Sequence, residues 1–263
     1  MALTGKSPAG TYKDLLTLEN SNNGVDSTLR NVRTGNGTNT SISVSDRSLL
    51  VKSSTNNTTA VDIQNSAGAS KFVIDTTNSQ VKSLGTHINT QYAHFGIGIS
   101  DSNNFAANTH HPLPFTTMAI GSSSVQDNIT FGTSGEPATT FTTADGSATD
   151  AGLLVPMLWY VPDNISIDNI YHIEGGDIAT GDTTRMHLYS YTFTSGSTSA
   201  LTSGTLLAHN NDVTNLGSEQ AYLSTWTVDS ASVAANKVIV AFFRSDSVNS
   251  DYSLNVTVKY HIK

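Results

Sequence analysis

The fold is decided by the last stretch of the chain, Asp251 to Lys263 (DYSLNVTVKYHIK). Here Tyr252, Leu254, Val256, Val258, Tyr260 and Ile262 alternate without a break with Ser253, Asn255, Thr257, Lys259, His261 and Lys263. A period of two puts every apolar side chain on one face of an extended strand, which a helix of about 3.6 residues per turn cannot do. The stretch therefore predicts a half-buried β-strand of about 40 Å, long enough to cross a whole sheet.

Working back from that strand, apolar runs at regular spacing predict further strands at Leu153–Val161, Ile165–Ile173, Thr184–Thr194, Thr205–Ala208, Ala221–Val228 and Lys237–Arg244. Turn sequences such as Pro162-Asp163-Asn164 and Gly175-Gly176-Asp177 separate them. With one or two strands from residues 85–150, this set predicts a β-sandwich of jelly-roll type over residues 151–263. In one strand Val238, Val240 and Phe242 share a face, while Ile239, Ala241 and Phe243 make the other equally apolar. Such a strand needs cover on both sides, and a subunit interface is the expected second cover.

Residues 13–84 read differently. Apolar residues come in short pairs (Leu16 and Leu18, Ile42 and Val44, Val61 and Ile63, Phe72 and Ile74) between turn clusters such as NSNNG at Asn20 and TGNGTNT at Thr34. Strands this thin bury too little to offset their ordering entropy alone. Residues 1–84 are accordingly expected to form an attachment segment and an intertwined β stem whose missing lid is another copy of the chain. An internal echo points the same way: Leu18-Glu19-Asn20-Ser21 with Gly24 matches Ile63-Gln64-Asn65-Ser66 with Gly68. Leu18, Ile63, Phe72 and Ile74 in the stem, with Phe242 and Phe243 in the head, are the expected interface residues between copies of the chain.

Residues 85–150 form a transition region. Gly96-Ile97-Gly98-Ile99 allows close backbone approach, and His110-His111-Pro112-Leu113-Pro114 reads as extended. Phe115–Ile120 and Asn128–Gly132 read as strands, and Gly132–Asp150 as a long surface loop.

Composition narrows the function. The formal net charge is -8, charged residues are 13% of the chain, and no basic cluster offers a grip on nucleic-acid phosphates. The absence of cysteine removes disulfides and thiolate zinc sites. No run approaches the ~18 apolar residues of a membrane span, and the start lacks the apolar core of a secretory signal, so neither insertion nor export is expected. Gly-x-Ser-x-Gly, Walker and His-Glu-x-x-His motifs are missing, and neither an enzyme nor a cofactor is expected.

Three constellations have a functional reading beside a plain structural one. His110 and His111 would ring the axis of a trimer as metal ligands, but the ordinary loop reading is preferred. Asp163, Asp168, Glu174 and Asp177 would supply a glycosidase pair, although Asp is expected in turns anyway. Of the aromatics Trp159, Tyr160, Tyr171, Tyr222 and Trp226, core packing is the preferred role. If a host-glycan site exists, its candidates are Trp159, Tyr171, Asp177, Asp182, Asn210 and Trp226, from the sheet and the loops at its ends.

The punctuated stem and sandwich head resemble the fibre and virion structural proteins of tailed bacteriophages. Ile63-Gln64-Asn65-Ser66-Ala67-Gly68-Ala69-Ser70-Lys71-Phe72 with Asp75-Thr76-Thr77-Asn78 is similar to their stem repeats, and Arg244 to Tyr260 to the terminal strands of their jelly-roll heads. The resemblance implies a homotrimer on the virion surface, docked through its N-terminal region to a capsid or tail protein and used in adsorption or in decorating the shell. The length of 263 residues departs from long tail fibres and favours a short fibre, spike or head fibre. A decoration protein without a receptor and a carbohydrate-binding or depolymerising adsorption protein stand as alternatives.

Overall fold

The computed structural model describes residues 15–21, 23–99, 106–115, 131–141, 154–176, 181–197, 201–217, 219–247 and 252–263. The chain is all-β and divides into two compact units, Met1–Ile88 and Asn89–Lys263. The boundary thus falls a few residues beyond the expected one at 84, and most of the described transition region belongs to the second unit.

The first unit holds two four-stranded antiparallel meanders: β1 (Thr17–Leu18), β2 (Arg30–Arg33), β3 (Asn39–Val44) and β4 (Leu49–Val51), then β5 (Val61–Gln64), β6 (Ser70–Asp75), β7 (Gln80–Ser83) and β8 (Thr86–His87). They are related by a 31-residue offset. Adding 31 to the bounds of β2 and β3 gives those of β5 and β6, and the pairs Ile42↔Val51 and Val44↔Leu49 recur as Val73↔Lys82 and Asp75↔Gln80. The turns recur too: Gly37 and Gly68 sit at φ +81° and +80°, each donating its N–H to the residue three before it, Thr34 and Asn65. Only glycine takes that left-handed conformation without steric cost. Asp26 and Asn57 each accept the N–H two residues on, at 2.9 Å. The echo between Leu18 and Ile63 is therefore not the structural period.

The two meanders differ in polarity. Ile42, Val44, Leu49 and Val51 share one face of the first, whereas Val61, Ile63, Phe72, Ile74 and Val81 share the face of the second that is opposite in repeat terms. Neither face is closed: among the described residues of this unit no apolar side chain is buried, and Leu49, Ile63 and Leu84 are 70%, 58% and 73% exposed.

The second unit is a sandwich. One sheet runs β16 (Gln220–Thr225), β12 (Ile165–Gly176), β20 (Tyr252–Ile262), β9 (Thr90–Ile99), with β18 (Ser232–Val233) beside β12. The other runs β10 (His111–Pro112), β19 (Lys237–Ser245), β13 (Thr183–Phe193), β14 (Leu201–His209), β17 (Thr227–Val228), with β11 (Trp159–Val161) on β19 and β15 (Val213–Thr214) on β13. Take β9, β10, β12, β13, β14, β16, β19 and β20 in order: the first pairs with the eighth, the eighth with the third, the third with the sixth; the second pairs with the seventh, the seventh with the fourth, the fourth with the fifth. That is the jelly-roll order.

β20 lies between β12 and β9 and turns Tyr252, Leu254, Val256 and Val258 into the core, each at most 3% exposed. Two details differ from the sequence expectation. Ile262, at the strand end, is 38% exposed, and His261, on the expected polar face, is buried with its Nδ1 2.8 Å from Asp168. Leu153–Val161 is not one strand, because Val155–Met157 forms a 3-10 turn with Pro156 and only Trp159–Val161 pairs. Gly175 and Gly176 are not a turn but the end of β12, where a Cβ on Gly176 would sit 2.8 Å from the Asn215 amide.

Both faces of β19 are covered, and the second cover is intramolecular. Phe243 packs inside the sandwich, whereas Phe242 packs outside it among Tyr189, Tyr191, Phe131, Phe141, Leu154 and Met157 of the same chain. Both are fully buried in a single copy, which corrects their assignment to the trimer interface. Phe242→Ala and Phe243→Ala should each cost about 3 to 5 kcal/mol in urea melts, and neither should change the assembled mass. A loss of mass in one of them would restore it to an interface.

Candidate functional site

The sequence-derived glycan candidates do not converge. Trp159 is buried in the core, stacked on Phe115 at 5.7 Å between ring centres, and Trp226 is buried with its indole N–H donated to His172 Nδ1 at 2.7 Å. Asn210 is fully buried and accepts the Met186 N–H. None of the three reaches a sugar. Asp182 is half-buried, its carbonyl accepting the Asn215 N–H at 2.8 Å, and Asp177 lies outside the described residues. Of the six, Tyr171 alone presents its ring to solvent, with its hydroxyl accepting from Asn169 Nδ2 at 2.9 Å. Core packing, the role preferred for the aromatics, is thus what Trp159 and Trp226 do, and an indole whose N–H bonds inside the core belongs there, as in Trp226.

Glu174 belongs to a buried chain of hydrogen bonds that ties the two sheets together. Because the Trp226 indole donates to His172 Nδ1, the imidazole carries its proton on Nε2 and donates it to Glu174 Oε2 at 3.1 Å. Thr184 on the opposite sheet donates to both carboxylate oxygens, at 2.8 and 2.9 Å. All four residues are at most 4% exposed, so this carboxylate meets no substrate and does not pair with Asp163 or Asp168 for glycoside cleavage. Glu174→Ala should cost about 1 to 3 kcal/mol beyond its packing, as it leaves the His172 and Thr184 donors unsatisfied. A urea melt within 1 kcal/mol of the parent would contradict this.

His110 and His111 are both buried in the head rather than presented to an axis. The His110 Nε2–H donates to the Ser134 carbonyl at 3.0 Å, leaving Nδ1 buried with no partner among the described residues. Its ring lies edge-on to His187 at 5.2 Å, and His187 lies over His209 at 6.5 Å. Burial, with Arg244 and His111 adding positive charge, pushes His110 down to about 4; burial, with His110, Arg185, His209 and Arg244, pushes His187 down to about 3. Burial also raises the Tyr189 hydroxyl, which donates to Glu136 at 2.8 Å. This cluster stands under the segment that covers the outer face of β13 and β19.

The opposite sheet presents a surface the sequence reading did not single out. Cross-strand rows on its outer face read Ala221, Gly175, Ser253, Gly98; Leu223, Ile173, Asn255, Gly96; Thr225, Tyr171, Thr257, His94; and Asn169, Lys259, Tyr92. Leu223, Tyr92 and Ile173 are 72%, 58% and 55% exposed. The signal available in the sequence was the apolar residue at outward positions, Ile173 and Leu223, where alternation calls for polar ones. In the first unit, an open groove of about 640 Å³ is lined by hydroxyls and amides, Asn31, Asn39, Ser41 and Ser43 among them. Of the expected stem interface residues, Ile63 is exposed and Leu18, Phe72 and Ile74 are half-buried.

No family model and no curated protein matches this sequence. Among solved structures, the crystal structure of an aminopeptidase from the marine sediment archaeon Thaumarchaeota archaeon is similar over 73% of this chain and 40% of its own, at 8% identity and a TM-score of 0.31. A likeness that slight bears on neither fold nor activity.

Proposed function

We propose that the chain is a structural component of a tailed-phage virion: a homotrimeric short fibre, spike or head fibre, with the meander unit as stem and the jelly roll as head. One observation carries the reading. The first unit has no buried apolar side chain among its described residues, and its valines, leucines and isoleucines stand 40 to 73% exposed at Ile42, Val51, Ile63, Leu49 and Leu84. A sheet with an uncovered apolar face is marginal in water, so the unit draws its stability from other copies. Tandem repeats that bury their faces only against neighbours are the arrangement that does this. The resemblance of residues 63–78 and 244–260 to phage stems and heads supplies the virion.

The N-terminal region then docks to a capsid or tail protein and the head faces outward, where it aids host adsorption. Gold-labelled antibodies against residues 89–263 should decorate intact particles at one fixed location, shell or tail. Label confined to lysate protein, with bare particles, would refute the virion reading.

A further inference from the structure

The head has two sheets with different fates. The outer face of the β13–β19 sheet is covered by the chain's own Phe131, Phe141, Leu154 and Met157, while the outer face of the β16–β12–β20–β9 sheet has no such cover among the described residues. We infer that a second copy of this chain covers it: the face carrying Leu223, Ile173, Tyr171 and Tyr92 is the contact between heads. The inference rests on the trimer proposed above and names the part of the head that makes it.

Three observations favour a copy of the chain as the occupant. The first is charge. The chain holds 21 acidic against 13 basic residues, so copies repel one another over most of their surface, yet no carboxylate stands in the four rows of this face. The second is bare backbone: among the described residues Gly98 has no atom within 4 Å of where a Cβ would sit, and Gly175 only Ser253 at 4.0 Å. The described residues of the sandwich do not require glycine at either position, and glycine inside a strand often marks close approach by another backbone or ligand. The third is area. Four strands about 4.8 Å apart and some eight residues long make a face of roughly 500 Å² in plan. In a trimer each face is shared between two neighbours, and three such faces meeting about the axis bury about 1,500 Å² in the whole assembly before side-chain relief is added.

The test uses the full-length chain with Tyr171 replaced by the photoreactive p-benzoylphenylalanine, and a control with the same replacement at Tyr160, 52% exposed on β11. On irradiation the Tyr171 variant should give a two-chain product on a denaturing gel in at least tenfold greater yield than the control. Adding Leu223→Glu should cut that yield at least tenfold, by placing like charges in the contact. A three-chain mass by light scattering with no two-chain product at Tyr171, or a yield unchanged by Leu223→Glu, would overturn this face while leaving the stem-held trimer standing. The face would then be open to a glycan or another protein. A one-chain mass would overturn both.

Discussion

A chain ending before Tyr252 will not form the head. Removing β20 takes out Tyr252, Leu254, Val256 and Val258, each at most 3% exposed, at about 1.5 to 3 kcal/mol apiece. It also removes the strand that β12 and β9 both pair with, leaving two central ladders open along their length. Some 6 to 12 kcal/mol from packing alone rivals the whole 5 to 15 kcal/mol margin of a domain. The truncated protein should be insoluble or melt without cooperativity. A soluble product with a cooperative urea transition would show that β20 is not the keystone of the sandwich.

Acid will loosen the head as pH falls below about 6.5. His110 and His187 have folded-state values of about 4 and about 3, below the 6.5 of an exposed imidazole, so the unfolded chain takes up protons first. The sign follows: their contribution is intact above about pH 6.5 and is lost as pH falls toward the folded values. Between pH 7.5 and 5.0 each should remove about 2 kcal/mol, about 4 together. Melts at the two pH values measure it, and His187→Gln should halve the difference. An unchanged difference in that variant would assign the pH dependence to other groups.

The alternation of Tyr252 to Val258 was legible because one face of β20 meets the core and the other does not, the condition under which a period of two is written into a sequence. The double-faced pattern of Val238 to Phe243 was legible as well, but not what covers it. Phe141 lies in the stretch that reads as loop, while Phe131, Leu154 and Met157 lie in stretches that read as strands, so no single periodicity announces a lid assembled from them. The 31-residue repeat was masked for a related reason: its apolar face changes sides, so Ser41 and Ser43 stand where Phe72 and Ile74 recur, and turn glycines such as Gly37 and Gly68 persist mainly for backbone reasons. Among the candidate site residues, Trp159 and Trp226 take the core role preferred for the aromatics over a glycan site, whereas Asn210 was misplaced because its amide oxygen accepts the Met186 N–H inside the core. Burial is a property of the partner, which a sequence does not show.

The central claim is that the stem unit has no stable existence in one copy. Size-exclusion chromatography with light scattering on the full-length chain at micromolar concentration tests it most directly. The account predicts a single species of three times 27.8 kDa that loses mass and structure together in urea. A folded species of 27.8 kDa, with residues 15–88 protected from proteolysis, would contradict it.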